Sequence, residues 1–63
     1  MPVITIAGNE GISTDEKRKM VKEVSKTVAK AYGLPIEVIT VLVQEYNSEN
    51  VGVAGELLSE RGN

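Results

Sequence analysis

The residue best placed to do chemistry in this chain is Pro2, which follows Met1 directly and opens an apolar run that ends at Ile6. Removal of Met1, which a small second residue usually permits, would leave Pro2 with a secondary amine. An α-amino group ionises near pH ~7.7–8.0 in model peptides, and an apolar pocket lowers that value by disfavouring the cation. Pro2 is therefore the candidate general base or nucleophile. Proline is also an ordinary first residue of a strand, where its missing N–H costs little.

The chain lacks the side chains that most other kinds of catalysis need. The 63 residues contain no His, Cys, Trp or Phe, which excludes imidazole bases, thiolate nucleophiles, disulfides and the usual Cys/His zinc sites. Carboxylates, lysines, hydroxyls and the single candidate amine remain. We expect neither a metal nor an organic cofactor.

The charge and hydropathy pattern narrows the partners. A net charge of −2 and a pI near 5.0 disfavour nucleic acid, since phosphate binding needs a basic surface and base stacking needs more aromatics than Tyr32 and Tyr46. No apolar run approaches the roughly 18 residues that span a bilayer, and the amino end lacks the pattern of a secretory signal. We predict a cytoplasmic protein that acts on a small molecule and binds no membrane.

A capped amphipathic helix is predicted in the first half of the chain. Ser13 and Glu16 match a capping box, in which the Ser13 hydroxyl accepts from the Glu16 N–H and the Glu16 carboxylate reaches back to the Ser13 N–H. Gly33 suits the left-handed position that ends a helix, and Pro35 prevents continuation. Apolar residues recur three and four positions apart and predict the buried stripe, which consists of Met20, Val21, Val24, Val28, Ala31 and Tyr32.

Two apolar segments flank this helix. Residues 2–7 predict one strand, which residues 8–11 break, and residues 38–45 predict a second. Two strands joined through a helix form a parallel β-α-β unit with a right-handed crossover. Residues 47–50 predict a polar turn, the Gly-rich residues 51–55 a small hairpin or a close backbone approach, and residues 56–63 a short tail. The sequence therefore predicts one α/β domain spanning 1–63.

The length of the chain predicts an obligate oligomer. Ordering 63 residues costs on the order of 95 kcal/mol, which the burial gained by one small core nearly cancels without leaving much margin. One helix also covers only one face of a two-stranded sheet, although both faces are largely apolar. Other copies of the chain are the expected cover for the second face.

Four short motifs, in register without a gap, resemble the 4-oxalocrotonate tautomerase family over nearly the whole chain. They are the Pro-Val-Ile-Thr-Ile start, Asp15-Glu16-Lys17, Glu23-Val24-Ser25 and the segment from Gly52 to Leu57. The resemblance implies a β-α-β protomer with a short C-terminal hairpin, assembled as a hexamer of three dimers. It also implies proton transfer on a small unsaturated α-keto or enol acid, with the Pro2 amine as general base.

Three residues depart from the pattern of the best-known family members. Ile12 and Thr40 stand where those members have arginines that hold substrate carboxylates, and Val51 stands where they have an aromatic residue. By this resemblance Val38, Thr40 and Val51 are the expected substrate-binding residues. The departures predict a preference for a smaller or less charged substrate than the dicarboxylate 4-oxalocrotonate.

Other functions and other residues stay open at this level. A proline-dependent lyase or hydratase on the same scaffold and a non-catalytic oligomeric binding protein are the alternatives. Glu45, Glu56 and Tyr46 are expected at the surface or at an interface rather than in catalysis. Six of the seven basic residues lie on the helix, where a solvated face is the ordinary explanation, and Arg61 is the exception.

Overall fold

A β-α-β unit followed by a small hairpin forms the chain. The computed structural model describes residues 1–61. The regular elements are β1 (Val3–Asn9), α1 (Thr14–Tyr32), β2 (Thr40–Tyr46), β3 (Gly52–Val53) and β4 (Glu56–Leu57). Short 3-10 segments lie at Ile36–Val38, Ser48–Asn50 and Leu58–Glu60. Among residues 1–61, no helix combines the length and the apolar character that crossing a bilayer requires.

The two long strands pair in parallel, as predicted. Val3 lies opposite Thr40, and the register continues without interruption to Asn9 opposite Tyr46. The β3 and β4 strands pair antiparallel, with Gly52 opposite Leu57. This order of elements confirms the predicted fold class.

The ends of both long strands differ from the prediction. The first strand does not stop at Ala7, because Gly8 and Asn9 pair with residues of β2 and the ladder outweighs their weak strand propensity. The second strand begins two residues later than Val38. Val38 donates its N–H to the Pro35 carbonyl at 3.2 Å and so closes a 3-10 turn instead of extending the sheet.

Both ends of α1 follow the predicted signals. The Ser13 Oγ accepts from the Glu16 N–H at 3.1 Å. Within residues 1–61 the reciprocal bond from the Ser13 N–H to the Glu16 carboxylate is not formed, so only half of the capping box is present. Gly33 ends the helix with a φ of 66°, and its N–H donates to the Lys30 carbonyl at 3.3 Å. Only glycine takes that left-handed backbone without strain.

The buried face of α1 is only partly the predicted stripe. Ser25 and Ala29 are the most buried residues, each 8% exposed, whereas Tyr32 is 66% exposed and Ala31 is also exposed. Small side chains four residues apart let the helix approach the sheet closely, so size rather than hydrophobicity selects them. Met20, Val21, Val24 and Val28 are half-buried, as the stripe requires.

One face of the sheet is covered and the other is open. Ile4, Ile6, Val41 and Val43 alternate toward α1 and are half-buried. The intervening residues lie on the opposite face, where Val3 is 57% and Leu42 is 46% exposed. This arrangement matches the predicted apolar face that one helix leaves uncovered.

The chain is flat and elongated. Its principal extents are 45 × 24 × 13 Å and its radius of gyration is 15.0 Å, whereas a compact domain of this length has a radius near 10–11 Å. Residues 47–61, called here the arm, make few contacts with the β-α-β body. Such a shape buries little apolar surface within one copy.

The arm is a small structure held by its own hydrogen bonds. Asn47 Oδ1 accepts from the Glu49 N–H at 2.9 Å, and the Leu58 N–H donates to the Val51 carbonyl at 2.8 Å. The hairpin prediction at residues 51–55 is thereby confirmed. The segment predicted as a short tail from Glu56 forms β4 and the last 3-10 segment, because backbone pairing with residues 51–53 orders it. Residues 62 and 63 lie outside the described part of the chain.

The hairpin turn provides a test of this geometry. Ala54 and Gly55 have φ angles of 55° and 82°, the positive values of a type I′ turn, which prefers Asn-Gly. We expect Ala54→Asn to stabilise the protein by about 0.5–1 kcal/mol, since asparagine tolerates the left-handed region better than alanine. Gly55→Ala, the matched control, should destabilise it by about 1–2 kcal/mol. Urea unfolding at one fixed protein concentration measures both, and a lower midpoint for Ala54→Asn would contradict the assignment.

Candidate active site

Pro2 lies at the amino end of β1 and is tied to the start of β2. Its carbonyl accepts from the Thr40 N–H at 3.2 Å, and the residue is half-buried. Met1 precedes it and is 88% exposed. While Met1 is attached, the Pro2 nitrogen is a tertiary amide without basicity. Removing Met1 would expose a secondary amine at the edge of the sheet.

Two of the predicted substrate-binding residues, Val38 and Thr40, lie close to Pro2 in the folded chain. Thr40 is the first residue of β2 and pairs with Val3. Val38 is half-buried and ends the 3-10 segment that leads into β2. The structure therefore brings Pro2, Val38 and Thr40 to one end of the sheet, where both strands begin.

Val51 and Ile12 lie at the opposite end. Val51 follows the 3-10 segment beyond Tyr46, the last residue of β2, and Ile12 follows Glu10, whose N–H donates to the Tyr46 carbonyl at 3.0 Å. Seven strand residues at about 3.3 Å each separate the two ends by roughly 20 Å. One chain alone therefore does not bring Val51 to Pro2.

Glu45 and Glu56, the two carboxylates expected to lie outside the catalytic machinery, each form an ion pair. Glu45 Oε2 lies 3.0 Å from Lys17 Nζ, a bridge between the first turns of α1 and the end of β2. Glu56 Oε1 lies 4.0 Å from Arg61 Nε within the arm. Neither pair is near Pro2 within one chain, which agrees with the expected surface or interface role.

The Lys17 contact is one that the hydrophobic pattern alone did not reveal. Lys17 precedes Val21 by four residues and so continues the buried stripe toward the helix start. Its partner Glu45 follows Val41 and Val43 at every second position of β2 and so lies on the same, helix-facing side of the strand. The helix period at Lys17, the strand period at Glu45 and the opposite charges of the two residues together predict this pair.

Two shallow depressions lie on the helix. One shallow depression of about 250 Å³ is lined by Glu23, Val24, Thr27 and Val28. A second, of about 290 Å³, is lined by Thr14, Lys17, Arg18 and Val21. Within residues 1–61, no three His, Cys, Asp or Glu side chains converge as a metal site would require.

Tyr46, the last residue of β2, lies at the opposite end of the sheet from Pro2. Its hydroxyl donates to Gln44 Oε1 at 3.1 Å on the open face of β2. Gln44 and Tyr46 are both exposed, two residues apart on the same side of the strand. Their placement fits the amphipathic interface residue expected from the sequence.

Known proteins match the chain over almost its whole length. The family model described as "Tautomerase enzyme" matches residues 2–61. A 2-hydroxymuconate tautomerase of Bacillus subtilis is 33% identical over 60 residues, which cover 95% of this chain and 97% of that protein.

Solved structures match with equal coverage. The structure of DmpI from Archaeoglobus fulgidus is 34% identical, with a TM-score of 0.84 over 94% of this chain and 100% of that one. A heterohexamer 4-oxalocrotonate tautomerase from Chloroflexus aurantiacus is 26% identical, with a TM-score of 0.89 over 98% of this chain and 100% of that one. With the family model spanning both strands, the helix and the arm, this chain belongs to the tautomerase family, whose members include 2-hydroxymuconate tautomerase.

Proposed function

We propose that the processed chain is a tautomerase whose base is the Pro2 amine, acting on a small unsaturated α-keto or enol acid. The observation that carries this proposal is the position of Pro2 in a member of the tautomerase family. It is the residue that removal of Met1 makes basic, and it is fixed at the sheet edge by its bond with Thr40.

The chemistry is a two-step proton transfer. The neutral amine takes the enol proton, and the ring nitrogen becomes an ammonium while the electron pair moves through the unsaturated system. The ammonium then returns the proton to a carbon, which gives the keto form and restores the amine. An amine whose pKa lies near the working pH serves both steps, because it is often neutral at the start and acidic enough at the end.

The proposed site is shared between copies of the chain. Val38 and Thr40 would contact substrate beside Pro2 of the same copy. Val51 belongs to the arm, which begins at the far end of the sheet about 20 Å away, and would line the site only if another copy's arm brought it there. We therefore propose a homo-oligomer, with a hexamer of three dimers as the expected form. The open sheet face and the radius of gyration of 15.0 Å support that assembly.

The N-terminal mass and a ketonisation assay test the proposal. Intact-protein mass spectrometry should show the loss of Met1, and the processed chain should convert an aromatic enol monoacid to its keto form. Borohydride reduction in the presence of a carbonyl substrate should leave the mass unchanged, since a base forms no imine. Trapping of the substrate on Pro2 would favour the lyase or hydratase alternative. Absence of turnover with every enol tried, despite a free amine, would favour a binding protein.

A specificity prediction follows from Thr40 and Ile12. The unmodified protein should prefer a monoacid enol to 2-hydroxymuconate, because no guanidinium lies at either position. Thr40→Arg should raise kcat/KM for the dicarboxylate about 10-fold or more, since a charged hydrogen bond contributes about 1.5–3 kcal/mol. Thr40→Gln serves as the uncharged control of similar length. Dicarboxylate turnover that already equals monoacid turnover in the unmodified protein would contradict the prediction.

A further inference from the structure

The acid substrate of the proposed function needs a cationic partner, and few side chains are placed to provide one. Six of the seven basic residues are on α1. Lys17 is engaged with Glu45 and Arg18 with Asp15. The others, Lys19, Lys22, Lys26 and Lys30, are exposed. Val21, Ser25 and Val28 mark the less exposed side of the helix. The helical period places Lys19, Lys26 and Lys30 on the opposite side.

Arg61 is the basic residue outside the helix, and backbone hydrogen bonds connect it to Val51. The Val51 carbonyl accepts from the Leu58 N–H at 2.8 Å, and the Leu58 carbonyl accepts from the Arg61 N–H at 3.3 Å. Arg61 therefore moves with Val51 as part of one hydrogen-bonded piece. Any docking of the arm that carries Val51 to a substrate carries Arg61 with it.

The Arg61 guanidinium is only weakly committed within its own chain. Its Nε lies 4.0 Å from Glu56 Oε1, at the outer limit of an ion pair, and both side chains are exposed. An exposed pair at that separation is weak, since water screens it. A carboxylate in a water-excluded pocket offers two oxygens to the planar guanidinium and can replace Glu56 as its partner.

We propose that Arg61 of one copy binds the substrate carboxylate at the Pro2 site of another copy. The proposal rests on the proposed function and makes Arg61 a specificity-determining residue rather than the base. It assigns to the arm both an apolar contact, Val51, and the charge that selects an acid. Glu56 then holds the guanidinium until substrate arrives.

The test compares an aromatic enol monoacid with its neutral methyl ester. Arg61→Gln should lower kcat/KM for the acid about 10- to 100-fold, mainly through KM, and change the ester less than about twofold. Arg61→Lys should restore part of the loss, since it keeps the charge without the planar fork. Glu56→Gln should leave acid turnover equal or higher. Lys26→Gln, which removes a helix charge of the same sign, should leave both substrates unchanged.

Two further outcomes separate this proposal from others. If Arg61→Gln and Glu56→Gln reduce acid and ester equally, the ion pair is structural and the proposal is wrong, while the role of Pro2 stands. If the processed protein turns over neither substrate, calorimetric titration with 3-phenylpropionate and its amide decides. Tighter binding of the acid that Arg61→Gln abolishes would support Arg61, and equal binding of acid and amide would overturn it.

Discussion

A chain that keeps Met1 is expected to turn over an enol acid at least about 100-fold more slowly than the processed chain. General base catalysis contributes typically 10²- to 10⁴-fold, and an amide nitrogen at Pro2 supplies none of it. The comparison needs two preparations of the same sequence, one processed and one carrying an N-terminal extension that resists removal. Both should show the same circular dichroism, because Met1 is exposed and makes little of the fold.

Pro2→Ala provides the graded form of the same test. Alanine after Met1 also permits processing, so the variant keeps a primary amine at the same place. We expect turnover to fall substantially without vanishing, and the rate of the unmodified protein to rise with pH as the amine loses its proton. Full activity in either the extended chain or the alanine variant would exclude Pro2 as the base.

Val41→Lys is expected to prevent folding, whereas Leu42→Lys is expected to prevent assembly. The two positions are adjacent on β2 but lie on opposite faces of the sheet. Val41 faces α1, where an unpaired charge costs several kcal/mol, comparable with the whole stability of a small domain. Leu42 is on the open face, which needs a second copy to cover it. Analytical ultracentrifugation should show loss of the multimer in both variants. Because the folded state is expected to need assembly, the far-ultraviolet circular dichroism signal of Leu42→Lys should rise with protein concentration, whereas that of Val41→Lys should stay low at every concentration.

Thr27→Lys, at an exposed position on the outer side of α1, serves as the control for adding a charge. It should keep both the helical signal and the sedimentation coefficient of the parent protein. The parent should sediment as a multimer at micromolar concentration. A stably folded monomer under those conditions would show that the open face needs no cover, and would contradict the proposed assembly.

Local signals in the sequence were sufficient for the order of elements. Ser13 and Gly33 bound the helix by hydrogen bonds that depend on a few neighbouring residues, and the apolar character of the flanking segments identified both strands. Strand ends were less predictable. Gly8 and Asn9 have the composition of a break, yet pairing with β2 keeps them in the ladder.

The sequence pattern did not predict which residues are buried where the elements pack against one another. Ser25 and Ala29 are the most buried residues of the described chain, and a pattern of hydrophobicity gives little weight to such small side chains. The sequence pattern also did not predict that Val51 follows the end of the sheet opposite to Pro2. Whether the arm folds back or extends is decided by contacts with surfaces beyond the arm itself, which no local pattern encodes.

The length of the sheet that lies between Pro2 and the start of the arm, roughly 20 Å, has a genetic consequence. If each site joins the amino end of one chain to the arm of another, a single defective arm disables a site whose proline is intact. In a cell that makes both arm-defective and Pro2-defective chains, some mixed sites would take the proline of an arm-defective chain and the arm of a Pro2-defective chain, and such sites would be intact. Two inactive variants would therefore partly complement each other, which variants of a site built from one chain could not do.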